Sequence, residues 1–242
     1  MATSAVPRSS DRIERKRQSR RDRIVEAAIE AIAEHGPAEF SLNQLAKDLD
    51  YTPGALYWYF ASKEALVAEA QRIVLARLSE HLARERDRWL AAPALADEPR
   101  DVVALYFLLR QALFHLRLDR THRAEARMLA FSVDPRVWLD AEQSRLLAPV
   151  LTELVRAAAA GFAEAITLGA LDAGDPGRRA VQYWANNQGT VQLTKLARFA
   201  PDLFSPEELG MDSARALLGG WGARPEPLAR AVTLVAGLAG SP

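Results

Sequence analysis

Three short runs decide how this chain is read: Ser41-Leu42-Asn43-Gln44-Leu45-Ala46, then Asp50-Tyr51-Thr52-Pro53-Gly54-Ala55-Leu56-Tyr57-Trp58-Tyr59-Phe60, then Ser62-Lys63-Glu64-Ala65-Leu66. Leu42, Leu45, Ala46 and Leu49 recur at three-to-four spacing, which predicts a short helix over 42–49. Thr52-Pro53 marks the start of another, over 53–60. A capping oxygen satisfies a free amide of the first turn, and proline at the next position lacks an N–H that would be orphaned there anyway. Only Asp50-Tyr51-Thr52 joins the two helices, the length of a helix-turn-helix connection. In that motif the second helix enters a DNA major groove, N-terminal residues nearest the base edges. Tyr57, Trp58, Tyr59 and Phe60 cover about a full helical turn, so they do not all fit one core and some must face solvent or a partner.

Working outward, a helix from about Ser19 to His35 precedes these runs and stops at Gly36-Pro37. Its Ile24, Ala27, Ala28, Ala31 and Ile32 share one face, and Leu56 and Phe60 close a small three-helix core with it. Upstream, Arg8 to Arg23 holds eight basic residues against Asp11, Glu14 and Asp22, a net of +5 in a chain whose total charge is zero. A basic arm over residues 1–18 on a less basic body points to a polyanion partner. Further helices are predicted at 63–90, 101–118, 122–131, 135–167 (with a break near Pro149), 176–199, 213–219 and 225–237. Asp134-Pro135, Asp175-Pro176 and Ser205-Pro206 repeat the cap-proline signal, and Ser205 with Glu208 forms a capping box.

Composition agrees with an all-α fold. The 242 residues include 45 Ala and 33 Leu, no Cys, and no strand-favouring runs of Val, Ile and Thr. Without Cys there are no disulfides, thiolate metal sites or cysteine nucleophiles, which fits a reducing compartment. No apolar leader opens the chain, and the uncharged stretch 231–242 is shorter than the roughly 20 residues that span a bilayer. The expectation is a cytoplasmic protein with no membrane partner.

Gly54, Leu56-Tyr57, Tyr59-Phe60 and Ser62-Lys63-Glu64 stand in register with, and closely resemble, the DNA-binding domain of the TetR family of bacterial transcriptional regulators. The resemblance covers roughly the first 70 residues; the remainder is similar to the family's effector and dimerisation domain in outline only. It implies three parts: a basic flexible arm (1–18), an N-terminal three-helix helix-turn-helix domain (19–66), and a helical bundle (67–242) that binds an effector and dimerises. Ser41 would cap its helix and turn its amides toward a phosphate. Thr52, Pro53 and Ala55 would face base edges, Ala55 by apolar contact alone. Gly54 would let the backbone approach the groove. Tyr57 would reach a base or phosphate, Tyr59 the sugar-phosphate backbone, and Lys63 would add charge. Trp58 would clamp the backbone or pack on the first helix. Asp50 stands where the family usually has Gly, and Asp tolerates the left-handed conformation better than most residues.

In the second domain two clusters suit a pocket for a small, partly apolar molecule. One is Tyr106, Phe107, Arg110, Phe114 and His115; the other is Tyr183, Trp184, Asn187 and Gln188. His115, Asp119 and His122 have metal-compatible spacing, but Asp119-Arg120-Thr121 reads as a loop that separates them, so no metal and no cofactor is expected. His81 has no partner at useful spacing. Ala180 and Gly189 permit close helix approach, as a twofold dimer interface needs. The chain carries no HExxH, GxSxG, P-loop or dinucleotide-binding glycines, so an enzyme is not expected. The function these readings favour is a ligand-responsive regulator, a repressor, that binds an inverted-repeat operator on double-stranded DNA as a homodimer. The alternative is an architectural helical protein that binds DNA without sequence preference.

Overall fold

A computed structural model describes residues 9–36, 39–131, 140–200, 203 and 205–238. Among them the secondary structure is helical, with no strand. Ten α-helices follow in order: α1 (Ser9–His35), α2 (Leu42–Asp48), α3 (Pro53–Tyr59), α4 (Lys63–Leu90), α5 (Arg100–Thr121), α6 (Arg123–Phe131), α7 (Ala141–Thr167), α8 (Pro176–Gln192), α9 (Pro206–Gly220) and α10 (Pro225–Leu238). Short 3-10 turns sit at Pro93–Leu95 and Leu193–Leu196. The helices form two compact units, one of residues 1–75 with 124–148 and one of 76–123 with 149–242.

The first unit is built on the expected face of α1. Ile24, Ala28 and Ile32 are buried, joined by Val25 and Ile29, which the three-to-four pattern omits. Leu42, Leu45 and Ala46 of α2, Leu56 of α3, Phe60, and Leu66, Val67, Ala70 and Val74 of α4 close this core, with Met128 of α6. Glu69 is only 6% exposed, yet it accepts from Arg21 Nη1 at 2.8 Å and from Arg72 Nε at 2.8 Å. The Arg72 hydrogen bond holds its carboxyl below the ordinary range against the burial that raises it, with Arg21 adding to the lowering.

α1 begins ten residues earlier than its sequence signals indicate, so residues 9–18 of the basic segment are helical. Arg, Lys, Glu and Gln are good helix formers and neither Gly nor Pro interrupts 9–35. Gln18 Nε2 donates to Asp22 Oδ1 at 2.7 Å, an i,i+4 support.

In the second unit α5 is central, with Leu105, Tyr106, Leu108, Leu109 and Ala112 buried as α8, α9 and α10 pack round it. Gly210 lets α9 come close: a Cβ there would stand 2.4 Å from a Leu116 methyl. Phe162, Tyr183 and Trp221 form a ring cluster, and Tyr183 donates to the Leu108 carbonyl at 3.0 Å. Burial pushes the Tyr183 phenol far up. Arg117 and Arg120 both bond Glu207, and Arg224 bonds Asp101 at 2.6 Å.

The structure departs from several sequence expectations, the break near Pro149 among them. α5 continues through Asp119-Arg120-Thr121, because Thr121 Oγ1 turns back onto the Arg117 carbonyl at 3.2 Å instead of capping α6. α9 starts at Pro206, not near Ser213, and Ser205 makes no side-chain cap bond, so the capping box with Glu208 is absent. α8 ends at Gln192, passing into the 3-10 turn. Ala180, expected between copies of the chain, is buried in its own core at 4% exposure. Pro149 lies inside α7. Asp134-Pro135 falls outside the described residues. By length and composition α7 is apolar enough to cross a membrane, and only 17% of its apolar window is buried.

Candidate nucleic-acid interface

Local chemistry sets the angle between α2 and α3. Asp50 takes φ 58°, the left-handed value its place in the turn requires. Its N–H bonds the Lys47 carbonyl at 3.1 Å, and the Tyr51 N–H bonds the Ala46 carbonyl at 2.8 Å. These two bonds make a Schellman ending, which satisfies carbonyls that the end of α2 leaves open. Two residues on, Thr52 Oγ1 accepts from the Ala55 N–H at 3.3 Å and starts α3. Ser41 caps α2 in the same way, more loosely, accepting from the Gln44 N–H at 3.5 Å. Ser62 Oγ accepts from the Ala65 N–H at 3.1 Å and starts α4.

With Leu56 and Phe60 anchored in the core, the rest of α3 faces outward. Thr52, Pro53 and Gly54 are exposed and Ala55 is half-buried. Tyr57 is 53% and Trp58 62% exposed, large values for rings on a well-packed unit. Tyr59 is half-buried against the core, its ring edge-to-face with Trp58 at 4.8 Å. Of the four adjacent aromatics, two face solvent, one lies at the margin and one is core. Gly54 has no positive φ, and a methyl group added to its Cα would find no neighbour within 4 Å. Nothing among the described residues therefore requires glycine there.

Positive charge lies beside these rings. The Arg17 guanidinium sits 4.7 Å over the Trp58 ring and that of Arg21 sits 4.8 Å over Phe60. Arg12, Lys16, Arg20 and Arg23 on the same helix are exposed, as is Lys47 on α2. Trp58 thus both packs on α1 and stays open to a partner. Lys63 is half-buried with its ammonium 5.8 Å over the Phe40 ring. Sequence reasoning does not find Arg17, because a contact between residues 17 and 58 has no local signature. Polar, aromatic and cationic groups on one surface can hold phosphates by charge and touch base edges through Thr52, Ala55 and Tyr57.

The expected pocket residues separate into different surroundings. Phe107, Arg110 and Phe114 gather round Trp89, with ring centroids 6.2 Å (Phe107) and 5.9 Å (Phe114) from the indole and the Arg110 guanidinium 5.3 Å from it. Phe114 also stacks on His81 at 5.5 Å, and His81 meets His122 at 4.2 Å, so His81 does have partners, brought to it by the fold. His115 bonds Gln188 Oε1 from Nε2 at 3.2 Å, linking α5 to α8. Burial lowers the His115 pKa to about 4, the Gln188 bond opposing the drop. The neutral imidazole therefore donates to Gln188. Tyr106 is sealed in the core at 1% exposure, its phenol raised by burial and eased back by Arg110. Tyr183 belongs to the Phe162–Trp221 cluster, Asn187 is buried and Trp184 is half-buried. Among the described residues no three His, Asp or Glu side chains gather as metal ligands.

Residues 24–70 match the family described as bacterial regulatory proteins, tetR family. Over 77 residues the chain is 38% identical to the HTH-type transcriptional regulator UidR of Escherichia coli K12, a match that spans 32% of this chain and 38% of UidR. The chain thus aligns with little more than a third of that relative's length. Its fold is similar to FadR from Bacillus subtilis, solved with stearoyl-CoA (TM-score 0.57, 18% identity, 79% of this chain and 95% of that one). It is also similar to RolR, solved with resorcinol (TM-score 0.58, 15% identity, 90% and 95%).

Proposed function

This chain belongs, through residues 24–70, to the TetR family of bacterial regulatory proteins, and from that premise we propose a ligand-responsive transcriptional repressor. It binds an inverted-repeat operator as a homodimer and releases it when a small, partly apolar effector occupies the bundle of residues 67–242. It works in the cytoplasm, where its DNA is. The observation that carries this reading is the outward face of α3, where Tyr57 and Trp58 stay exposed on a helix whose Leu56 is buried. Exposed rings beside an arginine-rich helix leave apolar surface open to a partner and suit the edge of a duplex.

In this reading Thr52, Pro53, Ala55 and Tyr57 meet the bases. Ser41, Trp58, Tyr59, Lys63 and the arginines of α1 meet the backbone. Two recognition helices reach successive major grooves about 34–36 Å apart only as a twofold pair. The exposed apolar side chains Val155 on α7 and Val181 on α8, 40% and 43% exposed, support a partner copy. An effector that binds best to a dimer with the wrong recognition-helix spacing shifts the population away from DNA.

The test is a gel-shift titration of the full chain on DNA flanking its own coding sequence, with excess random duplex as competitor. A shifted complex that survives the competitor supports a sequence-specific regulator. Complete loss to random DNA would instead favour the architectural reading.

A further inference from the structure

Two hydrogen-bond donors of the second unit, Trp89 Nε1 and Arg110 Nε, are buried and find no acceptor among the described residues. Trp89 is only 4% exposed, and the Arg110 guanidinium lies 5.3 Å from its ring. Other arginines of this unit are provided for: Arg117 has Glu207, Arg179 has the Asp172 carbonyl, Arg224 has Asp101 and Arg230 has Glu98. Arg110 has no carboxylate among the described residues. A second guanidinium, Arg86, lies 5.8 Å over Phe107, while the nearby Glu85 is taken by Arg88. The neighbourhood is therefore cationic, rich in donors, and walled by the Phe107 and Phe114 rings. Arg110 is half-buried, and leaving its buried Nε without an acceptor is costly; the contact with the Trp89 ring does not satisfy that donor.

We propose that this cluster recognises the effector, and that the effector is an apolar carboxylate, its anionic end on Arg110 and the Trp89 N–H and its apolar body along Phe107 and Phe114. The assignment rests on the reading of the chain as an effector-responsive regulator and narrows the effector to a chemical class. A carboxylate offers two acceptor oxygens, which suits one guanidinium and one indole donor together. A neutral acceptor would satisfy the donors but leave the charge unbalanced.

The experiment is calorimetric titration of the full chain with benzoate, 2-naphthoate and decanoate, each paired with its primary amide. At least one carboxylate is expected to bind about tenfold or more tightly than its amide. Arg110→Gln is expected to abolish that advantage while changing amide binding by less than about twofold, and Trp89→Phe to weaken the carboxylate part-way. The assignment is overturned by any of three results: no carboxylate binding below about 1 mM, amides binding as well as carboxylates, or Arg110→Gln retaining the preference. Gel shifts on the same preparation distinguish failure of this assignment from failure of the regulator reading. A protein that binds its DNA but ignores every carboxylate refutes the assignment alone, and one that binds carboxylates but no DNA refutes the regulator reading alone.

Discussion

Gly54→Ala separates a residue kept for folding from one kept for a partner. Gly54 occupies the first turn of α3, is exposed, has no positive φ, and leaves an added Cβ with nothing within 4 Å. Inside the protein the methyl meets no obstacle, and alanine is the better helix former. Stability should therefore rise by roughly 0.5–1 kcal/mol, or about 1–4 °C in melting temperature for a chain of this size. Against DNA the sign reverses. A methyl inserted where backbone and groove meet costs about 1–3 kcal/mol in overpacking, so the operator complex should weaken by roughly fivefold or more. Thermal unfolding and gel-shift titration of the same preparation read both quantities. No folding defect imitates a variant that is more stable yet binds less. Unchanged or tighter DNA binding would refute the placement of Gly54 at the interface, and a fall in stability would show that the glycine is structural after all.

Other consequences follow from single contacts. His115 titrates near pH 4 folded and near 6.5 unfolded, so the unfolded chain takes up the proton first as pH falls. Stability should drop by up to roughly 3 kcal/mol between about pH 6.5 and 4 and owe nothing to this residue's titration above that window; urea midpoints for wild type and His115→Asn across the range check it, and identical slopes would contradict it. Glu69→Gln should cost roughly 2–3 kcal/mol at neutral pH by leaving Arg21 and Arg72 short of their carboxylate. The Glu69 carboxyl is held below its ordinary pKa, so its contribution is present above the unfolded value and lost as pH falls through the folded one. The variant's deficit in denaturant midpoint should accordingly shrink in acid. Asp50→Gly should add roughly 0.5–1 kcal/mol by relieving a side chain held at φ 58°, and Asp50→Val should lose stability by a similar measure or more; a urea midpoint that moves the other way would deny the strain.

Much of the N-terminal unit was legible because its signals are local. The cap at Thr52, the left-handed place of Asp50, and the bounds of α2, α3 and α4 all rest on residues close together in the chain. Local signals also misled. Ser205-Pro206 marks the start of α9 correctly, but the capping box read from Ser205 and Glu208 does not form. Thr121 looks like a cap and is instead a helical residue bonded back to Arg117. Long-range pairs were out of reach. Nothing near Trp58 announces Arg17, far away in sequence on another helix. Trp89 and His81 lie on α4, far from the α5 residues they meet, so the spacing that singled out Arg110 and Phe114 had no means of adding them. Tyr106 and Tyr183 illustrate the converse: aromatic residues beside amides and charges on a helix, yet buried in the ordinary core.

The central claim is that the exposed face of α3 reads duplex DNA in pairs. Hydroxyl-radical footprinting of the full chain on its upstream DNA tests it most directly. Two protected patches are predicted on one face of the duplex, related by an inverted repeat and centred about one helical turn (roughly 10–10.5 base pairs) or a multiple apart, both lost together with Tyr57→Ala. Uniform protection at every sequence, a single isolated patch, or a pattern indifferent to Tyr57→Ala would contradict it.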